Sequence, residues 1–550
     1  MNRTMKRYFW ILAAALVSLA ACDKNELQNG KEEGPNSSAV AYIRAIGGDD
    51  ASKANIDNDT AAFTWSAGDT IAVYTSTAGY ILSEPLSIGA GTNNATFKFS
   101  GDKAVTAVEN RADFAVFPAG LVYIKSQGAF RTNSVTNHDA SNLTVTLRSE
   151  YALSEVSGDK APTPMIATNT PGSDLSFKAL CPLIRIAVKN IPPTTKLLEF
   201  EFEGRKVNGE FSISSVVPGT TYLTGTASSG YYSKIKVVLE SPLSSWGEVV
   251  VNLPVPVNAS GYPNVVVRAL DMYSSELMRL DSPLGSWSPT RKSSKKHTAA
   301  FPVFSFDGKK GVFAPANLQA KTTDGSTWTW QFADNEYDVI GKAVANTKIS
   351  GKGTVSENGT VDLFGWSTDN ANNYYGINNS MNTSHYTGTF KDWGGNVISG
   401  WRTPTAGDWA QVFEHRTGTN RFAKARVHST AGIILFPDGF EIPSGITIAN
   451  INVKDAGITL TEITDSNWAI LKQLGCVFLP GGGSRYGSGE AFSGENSYNS
   501  NLSGYWSSTK NAGTTIYIVY FGSTPLAWTS STSNNIVNGY SVRLVRDLNF

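Results

Sequence analysis

Cysteine is almost missing from this 550-residue chain, which holds only Cys22, Cys181 and Cys476. So few thiols over such a length exclude a disulfide-stapled scaffold and any paired-cysteine zinc ribbon. Histidine is nearly as scarce. His138, His297, His385, His415 and His428 include no H-x-x-x-H pair, so no zinc-hydrolase helix is written here. Charge of one sign is lacking too: the formal net charge is zero, which leaves no basic footprint for nucleic acid. No apolar run reaches the roughly 20 residues a spanning helix needs. No G-x-S-x-G elbow appears. Gly481-Gly482-Gly483 lacks the lysine and helix start of a phosphate loop and reads as a turn.

What is present starts with an export leader. Arg3, Lys6 and Arg7 precede an apolar run from Tyr8 to Leu19, then Ala20 and Ala21. A basic start, a short apolar segment and small residues at a cleavage site make a secretory signal over residues 1–21. Leu19-Ala20-Ala21-Cys22 resembles the lipobox of bacterial lipoproteins, which implies cleavage before Cys22 and acylation of its thiol and amino group. Several acyl chains at about 0.8 kcal/mol per methylene form a durable membrane anchor. Removing the three leader cations leaves the mature chain three charges negative. Residues 22–38 are polar, with Leu27 their only large apolar residue, and read as a lipidated flexible tether. Its charges also resemble the export signal of surface-exposed lipoproteins in Bacteroidota, leaving the inner or outer face of the outer membrane open.

Residues 39–305 read as strand after strand. Leu198, Phe200 and Phe202 alternate with Glu199, Glu201 and Glu203; Ile184, Ile186 and Val188 alternate with Arg185, Ala187 and Lys189. Period-two alternation marks strands with one buried and one wet face. Leu143–Leu147, Val249–Val257 and Val265–Leu270 are further strands. Many short strands between turn residues predict antiparallel sandwiches. The length suits two, 39–191 and 192–305, divided at Pro192-Pro193, because a proline pair cannot continue a central strand. Trp287 to His297, with Lys292, Lys295 and Lys296, reads as a loop or hairpin at the next junction. Beyond it lie nine of the thirteen tryptophans, among dense glycine and asparagine. Thr405-Ala406-Gly407-Asp408 has the spacing of a capping box, and Trp409, Val412 and Phe413 follow on one helical face. A second short helix is expected over Asp465–Leu474.

Two resemblances to known families come from these residues. Phe63-Thr64-Trp65-Ser66-Ala67-Gly68-Asp69-Thr70-Ile71-Ala72-Val73-Tyr74 and Leu175–Ile186 resemble segments of fimbrillin-family lipoproteins. That resemblance implies two transthyretin-like β-sandwiches, in proteins that build or decorate pili. Residues 306–550 resemble a C-type-lectin-like module of the Fibrobacter major paralogous domain type. Seven segments in order carry the match, among them Val312–Gln319, Asp362–Trp366, Asp392-Trp393-Gly394, Trp401–Thr405, Phe478–Arg485, Gly504–Thr509 and Gly539–Arg546. The fold expected is therefore mainly β, two sandwiches followed by a lectin-like α+β module whose final strand pairs with an early one.

These resemblances imply a fimbrillin-like surface adhesin, a pilus tip or accessory subunit, binding a glycan or a protein and other pilins by strand addition. A ligand-free pilus anchor and a glycan-active enzyme remain as alternatives. No catalytic residue, cofactor or metal is assigned. The calcium-binding triplets Glu-Pro-Asn, Gln-Pro-Asp and Trp-Asn-Asp are absent, so calcium-bridged sugar binding does not carry over. Asp334, Glu336 and Asp338 alternate near Tyr337, with Asp362 and Asp369 further on, but spacing alone makes no acid pair. Trp401, Trp409 and Trp506 are expected in the core, as is Cys476. Trp366, Tyr374, Tyr375, Trp393 and Trp528 lie in or beside Gly/Asn/Ser-rich stretches and form the candidate ligand face, since flat rings on loops can stack on sugars. Arg44 is the candidate site of the arginine-specific processing that polymerising fimbrillins undergo, against the reading of an exposed loop arginine.

Overall fold

The computed structural model describes residues 40–549 except 48–64, 76–78, 102–113, 120–121, 127–128, 131–142, 159, 169–173, 214–221, 286, 292, 342–352, 355–358, 379–381, 417, 456–458, 487–490, 494–502 and 522–525. The leader, Cys22 and the tether lie outside these residues. The fold is mainly β.

A seven-stranded sheet opens the structure. Its order is Gly79–Leu82, Ala72–Thr75, Phe114–Phe117, Met165–Thr168, Leu175–Ala179, Val40–Gly47 and Asn94–Ser100. Phe114–Phe117 is buried at every position, as an unbroken apolar run requires when both faces of a strand are covered. One face carries Trp65, which meets Phe97, Phe117 and Phe177 edge-on with ring centroids 5.0, 5.2 and 5.5 Å away. The other face carries Phe114 and Val116 against Val145 and Leu147 of a second sheet.

That second sheet is completed from far along the chain. Gly209–Ile213 pairs antiparallel with Leu143–Leu147, bringing Phe211 and Ile213 into the first sandwich's core. The loan runs both ways. Glu150–Ala152 pairs parallel with Lys234–Val238, and Tyr151 enters the second sandwich's core. The two sandwiches are interlocked rather than strung in series.

In the second sandwich Leu183–Ile191 is the middle strand between Gly247–Pro254 and Ser294–Ala300. Ile184, Ile186 and Val188 face Leu198, Phe200 and Val267 of the opposing five-stranded sheet. The boundary expected at residues 191/192 therefore needs correction. Pro192-Pro193 does end a strand, but that strand already belongs to the second sandwich, and the chain crosses over near Cys181-Pro182. The stretch around Lys295 and Lys296, expected as a loop or hairpin, is the parallel strand Ser294–Ala300. On the wet face the Phe/Glu alternation becomes a charge ladder. Arg268 Nη1 donates to Glu199 and Glu201 at 3.1 and 2.7 Å, and Lys234 Nζ donates to Glu199 at 2.8 Å.

Residues 304–549 form small sheets and short helices around three apolar clusters. The final strand Val545–Asp547 pairs antiparallel with Lys309–Phe313, as expected of a module whose ends meet. Arg402 clamps that closure, donating from Nε and Nη2 to Asp547 Oδ1 at 3.0 and 2.8 Å, while Nη1 reaches Asp408. The capping box forms as read: Thr405 Oγ1 accepts from Asp408 N at 3.0 Å, and Asp408 Oδ2 accepts from Thr405 N at 2.8 Å. The second helix runs Asp465–Gln473. Asp392 joins two of the quoted motifs. Its Oδ1 accepts from Gly394 N at 2.8 Å and from Thr403 N at 3.0 Å, and a Cβ on Gly394 would stand 2.3 Å from the Trp401 carbonyl oxygen.

Asp438 sits where the module meets the second sandwich, its carboxylate tying module residues together and its backbone carbonyl reaching the sandwich. Asp438 accepts from Ser305 Oγ at 2.6 Å, Lys310 Nζ at 2.8 Å and Arg416 Nη1 at 3.2 Å. Asn190 Nδ2, from the end of Leu183–Ile191, donates to the Asp438 carbonyl at 2.7 Å. These cations hold the Asp438 carboxyl below its ordinary range against the opposing effect of burial.

Candidate functional site

The site begins with a short two-faced sheet. Thr329–Phe332, Leu318–Thr322 and Gly359–Val361 lie side by side in that order. Leu318, Ala320 and Val361 turn into the core, with Trp330 and Phe332 packed against it. Alternation then sends Gln319, Lys321, Gln331 and Thr360 to the opposite face. The register sets Gln319 against Gln331 and Lys321 against Thr360.

This polar face is one wall of a cavity of about 520 Å³, within the roughly 300–1,000 Å³ of small-ligand sites. The other wall is the turn 334–340. Asp338 Oδ2 accepts from Asn335 N at 2.8 Å, and Asp362 Oδ2 accepts from Ile340 N at 2.8 Å, pinning both ends of that turn. Asp334, Tyr337 and Asp338 line the cavity, and Thr430 closes it from the hairpin that joins Phe422–Val427 to Thr430–Leu435.

That hairpin turns through His428 and Ser429 at φ 47° and 66°. Two left-handed residues suit the tight hairpin geometry, but Asn-Gly is the usual choice, and other side chains there cost energy. The strained turn carries the His428 ring to 4.0 Å from the Tyr337 ring, centroid to centroid. His428 Nδ1 in turn lies 3.1 Å from Asp465 Oδ1, at the start of the helix Asp465–Gln473. Tyr337 is thereby backed on one side while it lines the cavity on the other.

Gln319 is only 6% exposed, yet its amide bonds to no described residue. Thr430 is 7% exposed with its hydroxyl equally unbonded among the described residues. Buried polar groups are nearly always hydrogen-bonded. Here their open side is the cavity.

The carboxylates separate by environment. Asp334 and Asp338 face the cavity. Glu336, between them, turns inward, and burial pushes its carboxyl up to about 7 despite the pull of Arg543 and Lys472. Asp369 is tied to Thr389 N at 2.9 Å. Among the described residues no group of three His, Cys, Asp or Glu could hold a metal ion.

The aromatic ligand face expected from the sequence is largely dismantled. Trp366 and Trp393 are 1% and 0% exposed. Trp366 Nε1 donates to the Ser507 carbonyl at 3.0 Å and Trp393 Nε1 to the Tyr375 carbonyl at 2.8 Å. Both rings are floor beneath the long loops, so neither presents a surface. Trp409 and Trp506 are buried as expected, and Trp401 is half-buried against the same core. The Trp528 side chain lies outside the described residues; its backbone is in the strand Ala527–Asn535. Tyr374 remains a surface residue. It and Tyr375 sit at φ 44° and 55°, with Lys391 Nζ 4.2 Å from the Tyr375 ring centroid. Arg44, weighed as a loop residue, lies inside the strand Val40–Gly47 between two partner strands, 3.4 Å from Asp174.

Sequence reading noted Asp334, Glu336 and Asp338 near Tyr337 only as carboxylates that spacing could not pair, and missed Gln319, Gln331, Thr360 and Thr430. The alternation Leu318-Gln319-Ala320-Lys321 beside Trp330-Gln331-Phe332 was the available signal.

No family model and no curated protein matches the chain. Among solved structures, a Bacteroides ovatus protein provisionally named a cell adhesion protein is similar, with 13% identity over 54% of this chain and 97% of its own and a TM-score of 0.29. The tip fimbrial protein Mfa3 of Porphyromonas gingivalis, truncated at its C-terminus, shares 11% identity over 46% of this chain and 84% of its own, TM-score 0.20. For the fimbrial anchor protein Mfa2 of Porphyromonas gingivalis the figures are 10%, 44% and 82%, with a TM-score of 0.18.

Proposed function

We propose that this chain is an exported surface adhesin of the fimbrillin type, held to the outer membrane by acyl chains on Cys22. Its interlocked sandwiches carry a lectin-like terminal module that binds a glycan or protein, at a pilus tip or as an accessory subunit. The observation that carries this reading is the polar cavity of about 520 Å³ in the terminal module, with the Gln319 side chain, unbonded among the described residues, on its wall. A polar side chain so placed is available to the hydroxyl or amide groups of a ligand. The leader and the Leu19-Ala20-Ala21-Cys22 segment support the anchor.

Residues 39–550, produced without the leader and applied to glycan arrays and to host and bacterial cells, test the binding. Specific retention is expected, with no turnover of the bound glycan. A chain that is retained nowhere but co-purifies with pilins would instead be the structural anchor subunit. Fatty-acid probe labelling of the full-length chain, lost in C22S, tests the anchor.

A further inference from the structure

We propose that this cavity is a metal-independent subsite for an uncharged polyhydroxylated ring, a neutral hexopyranose, with Gln319, Gln331 and Tyr337 as its recognition groups. The inference rests on the adhesin reading and specifies its ligand.

Three features point to that chemistry. First, the antiparallel register places the Gln319 and Gln331 side chains directly opposite each other on one face, about 5 Å apart at Cβ. Each amide offers an N–H₂ and a carbonyl. A facing pair therefore matches neighbouring hydroxyls, which both donate and accept. Thr360 and Thr430 add hydroxyls of the same ambivalent kind on the cavity wall. None of these four side chains bonds to a described residue, which leaves them available to a ligand on that side.

Second, Tyr337 is a flat ring with fixed placement. His428 backs it at 4.0 Å, and Asp465 holds His428 in turn. A ring so supported loses little freedom when a pyranose C–H face packs on it. The strained His428-Ser429 turn then has a use: it brings the backing ring and the Thr430 hydroxyl to the same cavity.

Third, charge selects against acids. Among the described lining residues Asp334 and Asp338 stand beside one cation, Lys321. A sialic acid, a uronate or a sulfated sugar would bring its anion beside two carboxylates, and like charges at that range are disfavoured. A neutral ring instead gains hydroxyl donors to the same carboxylates, as charge-assisted hydrogen bonds. No divalent ion is needed for any of these contacts.

The test is saturation-transfer NMR and calorimetry on residues 39–550 in EDTA. The probes are the methyl glycosides of glucose, galactose and mannose, with glucuronate, N-acetylneuraminate and a Gln/Asn-rich peptide as alternatives. The unaltered chain should bind at least one neutral glycoside, unchanged by EDTA, and bind the two acids at least tenfold less tightly. Q331A and Y337A should each weaken that binding tenfold or more while keeping the unfolding midpoint and tryptophan emission of the parent. Y374A, on the separate aromatic surface, should leave it unchanged. Binding only to an acid, only with calcium, or only to the peptide would overturn the assignment. So would full binding by folded Q331A and Y337A; if that chain is still retained on arrays or cells, the adhesin reading stands without this subsite. An unaltered chain retained by no array or cell removes the adhesin reading itself.

Discussion

In the second sandwich the wet-face polar groups satisfy one another: Arg268 and Lys234 saturate Glu199 and Glu201 across three neighbouring strands. In the terminal module Gln319 and Gln331 face each other across two strands and bond to nothing described. Both regions follow the same alternation rule, with apolar side chains inward and polar side chains outward. They differ in how the polar groups are partnered. In the sandwich Glu199 is only 7% exposed, yet Arg268 and Lys234 satisfy it, so nothing is left wanting. Over the short sheet of the module the turn 334–340 adds an open-sided second wall, and Gln319 and Gln331 line the cleft with no partner among the described residues. The proposed ligand site thus differs from a structural sheet in the partnering of its polar groups rather than in its pattern.

The strongest way to break this comparison is through the sandwiches' shared construction. Trp65→Ala removes the ring at the centre of three edge-on contacts and should cost about 3–5 kcal/mol. Because each sandwich borrows a strand from the other, calorimetry should show both losing stability together while the module's transition stays in place. A shift confined to one sandwich would mean that the exchanged strands do not couple them.

The junction gives the next largest effect. Asp438→Asn strips the counter-charge from Arg416, whose side chain is 2% exposed, and weakens the Lys310 and Ser305 bonds. Breaking such a pair costs about 3 kcal/mol. Trypsin cleavage after Lys309 or Lys310 should become faster while the sandwiches stay resistant. In the parent the Asp438 carboxyl is held low, so its contribution is complete above about pH 4 and is lost as pH falls through its folded-state value.

A smaller effect of opposite sign sits beside the cavity. The Glu336 carboxyl is raised to about 7 by burial. The folded protein therefore keeps its proton between about pH 4.5 and 7, where the unfolded chain has released it. The contribution of this group should be greatest at and below about pH 4.5 and fall by on the order of 2 kcal/mol toward pH 7. Glu336→Gln should flatten that fall in urea titrations at pH 5 and 7.5. An unchanged slope would place the titration elsewhere.

Much of the scaffold was legible because strands with one wet face write their pattern into consecutive residues. Leu198, Phe200 and Phe202 against three glutamates needed no further information. The domain boundary was not legible: Pro192-Pro193 marks where a strand stops but carries nothing about which sheet that strand joined. Trp366 and Trp393 were misplaced for a related reason. Gly/Asn-rich surroundings identify a loop but not the direction of a ring, and here two indole N–H groups reach backbone carbonyls inside. The cavity needed register. Gln319 and Gln331 become neighbours only once two strands pair, and Thr430 arrives from a hairpin about a hundred residues on.

The exchanged strands also bear on how the protein reaches its place. A chain crossing a membrane from its N-terminus delivers residues 40–191 first, yet the wall of the first sandwich stays unfinished until Gly209–Ile213 has followed. Tyr151 in the same way has no seat until Lys234–Val238 emerges. If the chain is exported as proposed, the two halves cannot both close before Val238 has emerged. A shortened chain cut between the two would be an adhesive fragment rather than a smaller working protein.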